Sequence, residues 1–327
     1  MRTVLIILLL AALAVGGWLA WALYVPVTPS GQKFVLLHAG YSTRRIAREL
    51  QDAGVIRNAG AFLIWRRLHH GHSLKAGEYL FEKPANAVAI DDRLVRGDIY
   101  VRTVVVPEGF TIFDVAQAVE NAGLGSKEEF LKVAITDTDL IRDLSPDAAT
   151  LEGFLFPNTY EFTRTQSMED IAGTMVRQFR EVAKEIGLTS NIPAVVTLAS
   201  IVEKETAVPE ERMIVASVYD NRVRRNMLLQ ADPSVVYGEL LQGAYTGALH
   251  HDDMRFDSPY NTYRHAGLPP GPIANPGRSA LEAALHPANT DYIYFVADGS
   301  GRHKFARSLE EHNRNVAAYR KAINGQH

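Results

Sequence analysis

Positions 4–23 carry no charge and are mostly Leu, Ile, Val, Ala and Trp. At about 1.5 Å per residue such a helix is long enough to cross a bilayer. The run is longer than a usual signal-peptide core, and Trp18, Trp21 and Tyr24 read as an interfacial belt, so a retained anchor is favoured over a cleaved signal. Residues 26–32 read as a linker. A degenerate repeat follows: Gly40 aligns with Gly109, Ala47 with Ala116, Ala53-Gly54 with Ala122-Gly123, and Phe62-Leu63 with Phe130-Leu131. Each copy reads as strand, Gly turn, helix capped by Ser42 or Thr111, Gly stop and second short helix. Residues 76–81 and 100–106 alternate as strands.

Beyond 151 the pattern turns helical. An aromatic, Gly- and Pro-punctuated loop over 152–160 is followed by an amphipathic helix over 168–187. The next helix opens at Pro193, with Ser190 and Asn191 ahead as caps, and is apolar on nearly every face through Val202. Pro209 opens another, with Val215, Val218, Tyr219 and Val223 on its buried side. Asp232 reads as the cap of a short helix with Pro233 at its first position and Gly238 as its stop. Residues 258–277 are too rich in Pro and Gly for regular structure and suit the lining of a site. A helix at Arg278–Leu285, a strand at 292–297 and a helix opened by the Ser308–Glu311 capping box complete the chain.

The apolar helix ends in Glu203-Lys204-Glu205. A carboxylate at a helix C-terminus opposes the macrodipole, and apolar neighbours raise its pKa further, which suits a proton donor near neutral pH. Two residues along a helix is about 200° of rotation, so the two glutamates point to opposite sides and cannot flank one sugar bond. Glu205 lies over Leu198, Ile201 and Val202 and is the candidate acid. Glu203 is the supporting carboxylate.

Composition narrows the classes. Hydrophobic residues at 47% against 22% charged describe a globular chain. A net charge of -3 argues against nucleic acid as the main partner. With Cys 0, disulfides, thiolate metal sites and cysteine nucleophiles are excluded. His250-His251-Asp252-Asp253 and His69-His70-Gly71-His72 lack metal-binding helical spacing, so neither metal nor cofactor is expected. No nucleophile elbow, Walker loop or dinucleotide fingerprint is present.

Seven ordered segments carry a resemblance: Leu198-Ala-Ser-Ile-Val-Glu-Lys-Glu-Thr206, Ala216-Ser-Val-Tyr-Asp-Asn-Arg222, Leu229-Gln-Ala-Asp-Pro233, Tyr260-Asn-Thr-Tyr263, Gly267-Leu-Pro-Pro-Gly-Pro-Ile-Ala274, His286-Pro287 and Tyr292-Ile-Tyr-Phe-Val-Ala-Asp298. With them the chain resembles the endolytic murein transglycosylases, the MltG or YceG-like family. The resemblance implies an α+β protein: a transmembrane anchor over 1–25, a linker over 26–32, LysM-like α+β modules with the internal repeat over 33–145, and a mixed α/β catalytic domain over 146–327. It implies a lyase that cleaves the MurNAc-β-1,4-GlcNAc bond within peptidoglycan strands by attack of the C6 hydroxyl, leaving 1,6-anhydro ends and limiting strand length. The family's catalytic glutamate falls on Glu205, in agreement with helix phase. Gln230, Asp232, Asn261, Tyr263 and Asn275 are the candidate sugar contacts, with Glu203 and Glu152 in support. Implied partners are peptidoglycan, the lipid membrane and peptidoglycan synthases. The implied location is the inner membrane, with the catalytic domain on the periplasmic side. A hydrolytic muramidase would need a second carboxylate opposite Glu205, at Asp232 or Glu152. A cell-wall-binding scaffold would need no acid.

Overall fold

Side-chain caps start most of the helices, and apolar spacing decides which face each one buries. The computed structural model describes residues 1–69 and 72–324. Contact density divides them into two units, one of residues 1–103 with 161–166 and one of 104–160 with 167 onward.

The first unit opens with α1 (Arg2–Tyr24), a 23-residue helix that contains an 18-residue stretch of mean hydropathy 2.5, which suits a single membrane span. Then come β1 (Lys33–Leu37), α2 (Thr43–Asp52), α3 (Ala59–Leu68), β2 (Gly77–Phe81) and α4 (Ala87–Arg96). Ser42, Asn58 and Asn86 cap the three helices after α1 by accepting backbone amides. β1 and β2 pair antiparallel with Val35 opposite Tyr79, and their inner faces close with Leu50, Phe62, Ile90 and Leu94 over one core. The sequence pattern gave no warning of α4.

The second unit takes up the chain within β3 (Arg102–Val106). It continues through α5 (Ile112–Asn121), α6 (Lys127–Thr136) and β4 (Asn158–Phe162), which pairs with β3. Both copies of the repeat therefore share one order, strand–helix–helix–strand. Thr111 and Ser126 open α5 and α6 with capping boxes. The 145/146 division expected from the sequence falls inside this unit. The aromatic stretch before β4 is packed: Phe154, Phe156 and Tyr160 are buried. Gly153 there takes φ +87°, and a Cβ on it would lie 2.5 Å from Pro272, so the loop admits only glycine.

The helices α7 (Met168–Glu185), α8 (Ile192–Glu205), α9 (Pro209–Arg224), α10 (Asp232–Gln242) and α11 (Arg278–Leu285) build the rest of the core. The hairpin β5 (Tyr294–Ala297)–β6 (His303–Ala306) and α12 (Leu309–Asn324) complete it. α8 is buried from Val195 to Val202 and packs on α9, α10 and α11. Some local expectations fail. Asn191 precedes α8 in a left-handed conformation and makes no side-chain cap. Asp232 does not cap α10, and Gly238 does not stop it; the helix runs on to Gly243. Gly238 is small for another reason, since a Cβ there would come within 2.6 Å of Ser258 Oγ.

Candidate active site

α8 delivers its two terminal glutamates to different surroundings. Glu203 Oε1 accepts from the Arg212 guanidinium at 2.9 Å and Glu203 Oε2 from the Gly277 amide at 2.9 Å. Arg212 is itself buried and lies 3.6 Å from a second carboxylate, Glu108. Lys204 donates to the Gly109 carbonyl at 3.3 Å, and Gly109 in turn donates to the Asn275 carbonyl at 2.9 Å. The last turn of α8 is thus clamped to the turn after β3 and to the 275–277 segment.

Glu205 faces the other way, into a cavity of about 350 Å³ lined also by Tyr219, Arg222, Gln230, Asp232, Tyr263, Phe295 and His312. Its Oε1 accepts from Tyr219 Oη at 2.8 Å. Burial pushes the Glu205 carboxyl up to about 7; the Tyr219 hydrogen bond acts against this, and the negative charge of Asp232 adds to it. Such a group exchanges its proton near neutral pH, which is what alternating acid and base work requires.

The cavity walls are fixed by backbone contacts. Arg222 Nε donates to the Ile293 carbonyl at 2.7 Å and Arg222 Nη1 to the Leu229 carbonyl at 2.7 Å, joining α9 to the turn before α10. In that turn Gln230 is left-handed at φ 51°, and its amide donates to the Thr262 carbonyl at 3.1 Å. Thr262 Oγ1 accepts the Ala231 amide at 2.9 Å. Asp232, free of capping, accepts from Tyr263 Oη at 2.5 Å. A strained non-glycine backbone held beside a titratable group is common at functional sites.

Of the residues expected from the sequence to touch sugar, Gln230, Asp232 and Tyr263 line the Glu205 cavity. Asn261 and Asn275 do not. Both have 0% exposure. Asn261 Nδ2 donates to the Met254 and Phe256 carbonyls, at 3.1 and 2.8 Å, and its Oδ1 accepts the Tyr263 amide at 2.9 Å. It shapes the loop that presents Tyr263. Asn275 accepts from the Leu155 amide at 2.9 Å and donates to the Phe110 carbonyl and to Glu152 Oε1, each at 2.9 Å. Glu152 is buried with it, away from Glu205, and burial pushes its carboxyl up to about 8. Glu152 therefore does not face Glu205 across a substrate. Tyr219, Arg222, Phe295 and His312 are the cavity residues that sequence reasoning missed. A usable signal was present for two of them: Tyr219 and Arg222, three apart, share the α9 face that carries Val215 and Val218. Among the described residues no cluster of three or more His, Asp or Glu is placed to hold a metal. His70 and Gly71 lie outside the described residues.

The YceG-like family's sequence profile matches residues 35–318, nearly the full length. The chain belongs to the YceG-like family. A relative from Bacillus subtilis named endolytic murein transglycosylase is 34% identical over 302 residues, covering 86% of this chain and 83% of its own. A protein of the same name from Streptococcus pneumoniae is 29% identical and covers 95% of this chain, though the match spans 63% of that protein. The crystal structure of a yceG-like protein from Listeria monocytogenes superposes with a TM-score of 0.57 at 33% identity, covering 86% of this chain and 98% of that one. The profile of the YceG-like family extends over the cavity, from α8 to α12.

Proposed function

We propose that this protein is an endolytic murein transglycosylase that cleaves the MurNAc-β-1,4-GlcNAc bond within peptidoglycan strands. The observation that carries the reading is Glu205, alone among the α8 glutamates in facing an open cavity, with its Oε1 held by the Tyr219 hydroxyl and its carboxyl raised by burial to about 7. The names of the relatives supply the substrate class. Protonated Glu205 gives its proton to the leaving glycosidic oxygen as the C1–O4 bond breaks. The C6 hydroxyl of the same MurNAc attacks C1, and Glu205, now a carboxylate, takes that hydroxyl's proton. The C1–O6 bond replaces C1–O4, no water is consumed, and the acid is regenerated. An internal nucleophile needs no second carboxylate to hold it. Tyr219 orients Glu205, and Gln230, Asp232 and Tyr263 offer donors and acceptors to sugar hydroxyl and acetamido groups. The two strand–helix–helix–strand copies are LysM-like modules. α1 anchors the chain in the inner membrane with the catalytic unit on the periplasmic side, beside the peptidoglycan synthases whose strands it shortens.

Asp232 in the same cavity supports a second reading, hydrolysis by a muramidase with Asp232 activating water. Mass spectrometry of peptidoglycan digested by the full chain in detergent, beside Glu205→Gln, separates the two. Anhydro-MurNAc ends made only by the parent protein are the expected result. Reducing ends would transfer the assignment to the muramidase, and equal products from both proteins would remove Glu205 from the mechanism.

A further inference from the structure

The first unit leaves the membrane span in an unusual way. About 20 helical residues cross the roughly 30 Å of bilayer hydrocarbon, and counted from Arg2 these end near Trp21. Yet Leu19 already packs against the core of the first unit, and Ala22 and Leu23 are buried in it. The elements that cover this end of α1 are α3 and α4. Whatever covers Leu19 stands at the level of the hydrocarbon boundary, because without that turn the span is too short.

α3 is tied to the exit of α1 at both ends. Just before α3, the Arg57 guanidinium lies 4.6 Å from the Trp21 ring centre and donates to the Pro26 carbonyl at 2.9 Å. Two turns later Trp65 meets Tyr24 edge-on at 6.0 Å. One side of α3, with Ala61 and Phe62, is buried in the core. The other carries Ile64 and Leu68, 43% and 70% exposed, with Arg67 between them. These positions are three and four residues apart and form one face. On the adjoining α1, Trp18 and Trp21 are also exposed. Apolar side chains beside an arginine, continuous with tryptophans at the end of a span, are the chemistry of a helix seated in a phospholipid headgroup layer.

The geometry points to α3 as a membrane-interface helix: Ile64 and Leu68 enter the acyl boundary, Arg67 meets lipid phosphate, and the first unit rests on the bilayer instead of swinging from a free tether. The inference rests on α1 as an anchor and is independent of the reaction at Glu205. The absence of cysteine allows clean single labels. The full chain is reconstituted in nanodiscs of phosphatidylethanolamine and phosphatidylglycerol, with a nitroxide on Leu68→Cys, Ile64→Cys, Leu10→Cys or Asp98→Cys. Asp98 lies beyond the C-terminal end of α4, about 15 Å of helix from the end where Asn86 donates to the Tyr24 carbonyl. At Leu68 and Ile64 the ratio of oxygen to nickel-chelate accessibility should be several-fold higher than at Asp98. A ratio equal to that at Asp98, or shielding from both reagents, overturns the proposal. Leu10 reports the anchor itself, so lipid exposure there with water exposure at Leu68 refutes the interface and leaves the anchor standing.

Discussion

Glu203 and Glu205 differ by two positions and by everything their carboxyls touch. Glu203 is met by a guanidinium and a backbone amide; Glu205 is met by one phenol and an open cavity. Glu205→Gln keeps the shape and removes the proton, so cleavage should fall at least about 100-fold with the thermal transition intact. Turnover by the purified variant at the parent rate would contradict this. The proposed mechanism needs Glu205 protonated, so kcat/KM should decline as pH rises through about 7. Tyr219→Phe removes a hydrogen bond that favours the carboxylate, so the decline should move up by about one pH unit, as a pH–rate profile would record. Helix phase alone separated the two glutamates in the sequence, because 3.6-residue periodicity fixes direction. The fate of Asn261 and Asn275 was not legible. An amide that binds sugar and one that satisfies a buried loop look identical until the loop's own carbonyls are placed.

The last turn of α8 is held by residues that stay outside the Glu205 cavity. Arg212 on α9 neutralises Glu203, and both side chains are nearly inaccessible, at 8% and 6%. Arg212→Met would leave Glu203 buried without its cation, at a cost of about 3–5 kcal/mol. Denaturant unfolding should show that loss, and adding Glu203→Gln should recover part of it; a stable single variant would show the pair to be dispensable. Caps such as Ser42 and Thr111 were readable because the hydroxyl sits close in sequence to the amide it accepts. Asp232 matched the same pattern yet turned to Tyr263. Its partner lies 31 residues away, beyond the reach of a local rule.

Across the whole chain, the duplicated strand–helix–helix–strand order was visible in the spacing of its glycines, whereas its partition between two units was not. That partition depends on what each copy packs against. The second copy meets Glu152 and Asn275 through Ile112 and Phe110. Two buried carboxyls make the fold alkali-sensitive. Their folded-state values are raised, so between 4.5 and about 7 for Glu205, and between 4.5 and about 8 for Glu152, the folded chain binds more protons than the unfolded one. Stability from them is complete below 4.5 and is lost as pH rises through those windows. The unfolding free energy from urea titrations should therefore fall between pH 5 and pH 8.5, by on the order of a few kcal/mol. Glu152→Gln should flatten the slope, and an unchanged slope would show that Glu152 is charged throughout.

The contact from Asn275 to Phe110 joins positions 165 apart in the chain, and the amide of Gly277 is what Glu203 waits for. During synthesis, Glu205 therefore emerges well before the segment that locks its helix end. A nascent polypeptide that has not reached Gly277 holds the acid but not its clamp. The end of α8 is in this way left unlocked until the 275–277 segment has been made, and a product that stops short of it would carry Glu205 on a helix end without its clamp.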